Sequence, residues 1–354
     1  MERRSFLKNI GLRGLGISLT PFAAPLLGFE ENLIREQDLL IPEHLTKGDT
    51  IAIISPSSAI YEYEPYEIAV ENFEAMGLKV KLGKYVKSKY GHLAGTDEER
   101  ASELNIMFAD SEINGIVALR GGSGAARILK LIDYNIITKN PKVFIGYSDI
   151  TALHLAIYTK TGLVTFHGPL AVSSWNNFSY SIFKNILFKG KAMTYENPKE
   201  IGDNLTQIKN RTQTIASGVA EGFLLGGNLS VLTGIMGSPY FPKDWNGKIL
   251  YLEDVVEKIY AIDRMMSQLQ LGGVLDQISG FVFGKCTNCE AGGSGYGSLT
   301  FEEVIEHYIK PLNIPAYSGA MFGHIDDNST LPNGLKVLLN ADNGTLKMLS
   351  PAVS

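Results

Sequence analysis

The sequence predicts an α/β protein, a doubly wound parallel-sheet domain followed by a smaller, sheet-rich C-terminal domain. Three observations carry this. In the first half, short runs that are apolar throughout alternate with stretches of helical spacing, the pattern of parallel strands covered on both faces. Between residues 176 and 214 that pattern gives way to polar, Asn- and Lys-rich sequence, which reads as a connection. Beyond it, strands outnumber helices. A chain of 354 residues has room for about two domains, bounded here at 48–175 and 215–354. With 45% hydrophobic and 19% charged residues, the composition is that of a soluble globular protein. A formal net charge of -5 lacks the basic footprint of a nucleic-acid binder, so no nucleic-acid partner is expected.

The chain opens on Arg3-Arg4-Ser5-Phe6-Leu7-Lys8 and the weakly apolar stretch Ile10 to Leu27, with small residues at Ala23-Ala24. This reads as a twin-arginine export segment over 1–29, an address rather than part of the fold. It implies work in the periplasm or at the cell surface, with residues 30–47 as a polar tether. No run that could span a bilayer follows it, so no stable membrane insertion is expected once it is removed.

Ile51-Ala52-Ile53-Ile54 is a buried strand that ends at the turn cluster Ser55-Pro56-Ser57-Ser58. Helical spacing runs from Tyr66 to Met76 and stops at Gly77, and Leu78 to Leu82 is a second strand. Thr96 caps a helix whose first turn holds Asp97, Glu98 and Glu99. Further strands are Ile116–Leu119, Val143–Ile145 and Leu163–Phe166. In the second half the strands are Ile249–Leu252, Phe281–Phe283, Ala316–Ser318, Lys336–Leu339 and Thr345–Leu349, with one long helix from Lys258 to Leu271. Cys286 and Cys289 form a C-x-x-C pair. It cannot complete a four-ligand zinc site, so no metal is expected. In an oxidising compartment it can close a local disulfide, and it lacks the thioredoxin-like context of a redox catalyst.

Ligands of open parallel sheets bind outside the carboxyl ends of the strands, so the turns there hold the candidate chemistry. After Val143–Ile145 comes Gly146-Tyr147-Ser148-Asp149, running straight into a helix that ends at Gly162. Such a strand-to-helix turn can expose Ser148 as a nucleophile, although position 150 is Ile rather than Gly and Ser148 or Asp149 could simply cap the helix. After Ile116–Leu119 comes Arg120-Gly121-Gly122-Ser123-Gly124, a glycine-rich loop opening the helix Ala125–Ile132. Its backbone N–H groups suit an anion, either a phosphate or a reaction oxyanion, and its glycines also suit a tight turn. The loop matches neither a P-loop nor G-x-G-x-x-G. In the second half, Glu253-Asp254 ends a strand and His324 lies in the loop Met321–Asn328, before the turn Leu331-Pro332-Asn333-Gly334. Spacing alone does not choose between the two carboxylates.

Taken together, these turns resemble the LD-carboxypeptidase family of serine peptidases, which also includes the microcin C self-immunity peptidases. The resemblance runs from Gly48-Asp49-Thr50-Ile51-Ala52 to about Leu349. Its marks are Ser55-Pro56-Ser57, the 120–124 loop, Gly146-Tyr147-Ser148-Asp149, His167-Gly168-Pro169, Gly226-Gly227-Asn228-Leu229, Leu252-Glu253-Asp254 and Gly323-His324. It implies a flavodoxin-like N-terminal domain, a homodimer and no cofactor. It assigns Ser148 as nucleophile, His324 as general base and then acid, and Glu253 as the group orienting the imidazole. Backbone N–H groups of Gly122 and Asp149 would hold the oxyanion. Arg120, Gly121 and His167 would contact substrate. The implied partner is a small peptide, the murein tetrapeptide, cut at an L-to-D bond to release D-alanine in peptidoglycan recycling. Two alternatives remain at this level: the same chemistry on a peptide-nucleotide, or a non-catalytic two-lobed binding protein of the envelope.

Overall fold

The computed structural model describes residues 39–291 and 297–354. The export segment and most of the tether lie outside the described residues. The first half runs β1 (Thr50–Ile54), α1 (Glu64–Ala75), β2 (Lys79–Leu82), α2 (Asp97–Ala109), β3 (Gly115–Ala118), α3 (Ala125–Ile128), α4 (Tyr134–Lys139), β4 (Val143–Gly146), α5 (Thr151–Thr161) and β5 (Thr165–His167). These five strands are parallel in the order β2-β1-β3-β4-β5, which is the flavodoxin-like order. β1, β3 and β4 are almost wholly buried, as a sheet covered on both faces requires. Thr96 opens α2 with the expected cap and a full capping box with Glu99. The helix expected over 125–132 shortens to α3 and a 3-10 turn at Leu129–Leu131.

The connecting segment holds α6 (Asn177–Leu187) and the short strand β6 (Thr194–Tyr195), elements that its polar composition hid. Phe183 of α6 packs against Phe73 of α1, with ring centroids 6.4 Å apart, and against Trp175 at 5.0 Å. Burial of Phe183, Ile186 and Leu187 along one face explains a helix set in polar sequence.

The second sheet takes β7 (Gln213–Ala216), β8 (Val219–Asn228), β9 (Lys248–Val255), β10 (Gly280–Thr287), β11 (Ala316–Ser318), β13 (Lys336–Asn340) and β14 (Thr345–Met348), together with β6. Its order is β6-β14-β13-β8-β9-β10-β11-β7, parallel from β8 to β11 and antiparallel at both flanks. Helices α7 (Leu229–Gly234), α8 (Ile259–Leu271) and α9 (Phe301–Ile309) cross between its parallel strands. The sequence reading gave α8 alone. The remaining strand, β12 (Leu331–Asn333), corrects the turn read at Leu331–Gly334: it pairs antiparallel with β5 at the edge of the first sheet. Pro332 has no N–H to donate, and an edge strand tolerates that. A segment from the second half thereby completes the first sheet.

Both apolar cores contain residues of both sheets. Phe144, Leu153, Leu225 and Leu252 share one cluster, and Ile53, Phe166, Tyr251 and Leu339 share the other. Along β9, Leu250 and Leu252 face one core while Ile249 and Tyr251 face the opposite one. That is the period-two pattern of a strand buried on both sides.

Candidate active site

Val143–Gly146 delivers the chain to Ser148, which sits at φ 65 and opens a 3-10 turn before α5. A non-glycine residue there is strained, and neighbouring groups hold it. The Asp149 carboxylate accepts from Ser57 Oγ at 2.5 Å and from Ala125 N–H at 2.8 Å. It thus ties the serine turn to the loop after β1 and to the start of α3. Arg100, fully buried, donates to the carbonyls of Pro56 at 2.6 Å and Gly124 at 2.9 Å, binding those two loops together. Sequence reasoning quoted Ser57 only as a mark of the resemblance and passed over Arg100, because the loop partners named here lie 24 to 92 residues away.

A β-carbon on Gly121 would stand 2.8 Å from Ser148 Cβ and 3.0 Å from its hydroxyl. Only glycine lets this loop lie against the serine. Arg120, Gly121, Gly122, Tyr147, Ser148 and His324 line one cavity of about 380 Å³. Arg120 also donates to the carbonyl of Ala59 at 3.1 Å.

His324 reaches the cavity from the second half. Its Nε2 lies 3.0 Å from Ser148 Oγ, and its Nδ1 lies 2.7 Å from Glu253 Oε2. Glu253 is fully buried on β9. With the ring proton on Nδ1 donated to that carboxylate, Nε2 is left to accept from the serine hydroxyl. A β-carbon on Gly323, at φ 116, would stand 2.9 Å from Glu253 Oε2, so the contact needs a glycine before the histidine. Tyr147 packs edge-on against the imidazole at 4.8 Å.

The histidine loop is held by the connecting segment. Ser179 Oγ donates to the carbonyl of Asp326 and accepts from Asn328 N–H, both at 3.0 Å. Asn176 Nδ2 donates to Asp327 Oδ1 at 2.8 Å.

Asp254 faces away from the imidazole. It accepts from Ser230 N–H at 2.9 Å, Val255 N–H at 2.8 Å and Asn228 Nδ2 at 3.1 Å, and so caps α7. Burial, then the adjacent Glu253 charge, pushes its carboxyl up to about 6. The alternation of a strand therefore separates two neighbouring acids that spacing could not.

His167, expected to contact substrate, is fully buried and packs edge-on against Tyr147, Tyr251 and Phe322. Direct contact with a ligand in the cavity is not open to it. Burial holds its pKa well below the usual imidazole range. The Asp149 side chain is likewise turned inward, onto Ser57 and Ala125, which leaves its backbone as the part next to Ser148. Cys286 and Cys289 form a disulfide.

A serine hydroxyl, an imidazole and a buried carboxylate in hydrogen-bond series form the constellation of nucleophilic hydrolases. Comparison with known proteins agrees. Residues 51–168 match the LD-carboxypeptidase N-terminal domain and residues 221–339 match the C-terminal domain. The chain is 39% identical to the probable murein peptide carboxypeptidase of Bacillus subtilis, over 84% of this chain and 91% of that one. It is 33% identical to the microcin C7 self-immunity protein MccF of Escherichia coli, over 89% of this chain and 97% of that one. Among solved structures, MccF in complex with glutamyl sulfamoyl guanosine superposes with a TM-score of 0.80 at 31% identity, covering 89% of this chain and all of that one. The muramoyltetrapeptide carboxypeptidase of Oxalobacter formigenes gives 0.72 at 27% identity, covering 84% and 97%. The chain belongs to the LD-carboxypeptidase family, and it is a serine carboxypeptidase hydrolase.

Proposed function

We propose that this enzyme hydrolyses the L-to-D bond of murein tetrapeptides, releasing C-terminal D-alanine through an acyl-enzyme on Ser148. The observation that carries the reading is the unbroken series from Glu253 through His324 to Ser148, at 2.7 and 3.0 Å. His324 Nε2 takes the serine proton as Oγ attacks the scissile carbonyl, and Glu253 stabilises the imidazolium. The backbone N–H groups of Asp149 and Gly122 are the candidates to hold the tetrahedral oxyanion. His324 then returns the proton to the leaving amine of D-alanine. Water, deprotonated by the same ring, cleaves the ester. Arg120, on the cavity wall, is suited to the substrate's free carboxylate.

The residue 1–29 leader supports export by the twin-arginine route to the periplasm, where wall peptides occur, and we propose a homodimer on the family pattern. The likeness to MccF supports a second reading, the same chemistry on a peptide-nucleotide. Incubation with tetrapeptide and pentapeptide muropeptides and with a peptide-nucleotide, with products identified by mass, separates the two. Tetrapeptide should lose one alanine, and Ser148→Ala should lower kcat by about a million-fold with the fold intact. Undiminished turnover in Ser148→Ala removes the mechanism. Turnover of a peptide-nucleotide alone moves the substrate to the second reading.

A further inference from the structure

The catalytic geometry makes no use of the Cys286–Cys289 bridge, yet the bridge stands beside both partners of the nucleophile. It closes the C-terminal end of β10. Cys286 lies opposite Asp254 in the β9–β10 ladder, and Thr287 lies opposite Val255. The bridged turn therefore adjoins the strand end that carries Glu253. Val256 N–H donates to the Thr287 carbonyl at 2.8 Å, and Glu290 N–H donates to the Glu257 carbonyl at 3.2 Å. These bonds continue the pairing past the end of the strand.

On its other side the same strand end holds the histidine loop. Lys285 N–H donates to the Phe322 carbonyl at 3.1 Å, and Thr287 Oγ1 donates to the carbonyl of His324 itself at 2.9 Å. Thr287 lies inside the loop that the disulfide closes. Asn288, next to it, takes φ 55, a left-handed turn that asparagine tolerates, and this brings the chain back to Cys289.

We infer that the Cys286–Cys289 disulfide is a positioning element for the reaction: it fixes the turn on which Thr287 holds His324, while the adjoining ladder holds Glu253. The inference rests on the reading of His324 as general base. A threonine on an untethered turn gives up backbone and rotamer freedom each time it makes this bond. A covalent closure of a few residues removes much of that freedom in advance. Both cysteines line an open cavity of about 580 Å³, so a soluble dithiol can reach them. Such a dithiol gives two electrons and two protons to the bridge through a mixed disulfide, leaving two cysteine thiols and its own disulfide.

The test is steady-state hydrolysis of a muropeptide by the full chain, oxidised and after reduction with dithiothreitol, beside Thr287→Val and Thr287→Ser. Reduction and Thr287→Val should each lower kcat by about tenfold with KM nearly unchanged, a fraction of the ~100-fold that a displacement of about 1 Å can cost. Thr287→Ser keeps the hydroxyl and should keep the rate. In the two impaired samples the acid limb of the kcat/KM profile should shift, because the base sits differently on Glu253; loss of stability alone would not move it. Unchanged kcat and acid limb in both samples overturn the inference, as does Thr287→Ser being as slow as Thr287→Val. If melting shows that reduction unfolds the protein, the threonine pair decides. Absence of turnover and of Ser148 labelling by an active-site phosphonate in the oxidised protein overturns the peptidase reading instead.

Discussion

Ser148 and His324 meet at 3.0 Å, yet the two segments that bring them together are built by different means. The serine turn is local. A buried strand, a residue at φ 65 and a helix follow one another within Val143–Thr161, and that succession shapes the turn before Asp149 ties it to Ser57 and Ala125. The histidine loop has no regular structure between β11 and β12. Glu253, Thr287, Asn176 and Ser179 define its place, and these come from β9, β10 and the start of α6. The nucleophile's backbone is shaped within its own segment and then pinned through Asp149 to Ser57 and Ala125, whereas the base has no regular element of its own and is placed by distant partners. Strain at the first and loss of distant partners at the second should therefore have different experimental signatures.

The largest effect tests the distant partner. Glu253→Gln keeps shape and removes charge, so the imidazole loses both its favoured tautomer and its counter-charge. kcat should fall by about ten-thousand-fold with KM little changed. A loss under about tenfold would show that Glu253 does not orient the ring.

Two glycine variants compare the segments directly. Gly121→Ala puts a methyl against the Ser148 side chain and should lower kcat by about 100-fold, with a modest change in melting temperature. Gly323→Ala meets Glu253 Oε2 and also demands φ 116 from alanine, so it should lose activity and in addition about 1–3 kcal/mol of stability. Equal melting temperatures for the two variants would contradict this division.

Acid titration should give the regions opposite slopes. His154, in α5, is fully buried, bonded to Thr165 Oγ1 and the Gly146 carbonyl, and held down to about 4 by burial; His167 is depressed in the same way. An imidazole whose folded pKa lies below its unfolded value gives stability that is complete above 6.5 and lost as pH falls toward 4, on the order of 3 kcal/mol for His154. Asp254 works in the other direction. Its folded pKa is raised, so its contribution is complete below 3.8 and lost as pH rises through about 6. Urea denaturation at pH 4 to 7 should show a shallower acid loss for His154→Gln and a steeper one for Asp254→Asn. Identical slopes in both variants and the wild type would refute the assignment.

The smallest effect belongs to the strained serine. Ser148→Gly relieves a left-handed residue and should stabilise the fold by about 1 kcal/mol relative to Ser148→Ala, with both variants inactive. Equal stability would mean that the turn carries no strain.

How far the sequence could be read follows the same line. The parallel sheet was legible because strands buried on both faces are apolar throughout, and the Thr96 cap was legible because a capping box is local. Helix α6 was hidden because the sequence around it is polar and its buried face finds its partners in Phe73 of α1 and Trp175. β12 read as a turn because Leu331-Pro332-Asn333-Gly334 is turn chemistry unless a sheet edge is waiting for it. His167 ends a strand of the first sheet, like the serine turn, and its position suggested a substrate contact; the packing of three aromatic rings around it decided otherwise.

By itself, the sequence determined the parallel-sheet half, the serine turn and the glycine-rich loop, and, through the resemblance that their joint order carries, the family and the expectation of Ser148, Glu253 and His324 as the triad. Only tertiary structure supplied the physical reason that Glu253 and not Asp254 faces the imidazole, and decided what holds the histidine loop and that Cys286 and Cys289 close beside it. The physical reason is range. Periodicity, caps and turns are written in consecutive residues, whereas a contact such as Thr287 with His324, 37 residues apart, exists only once the sheets that carry its two ends have packed.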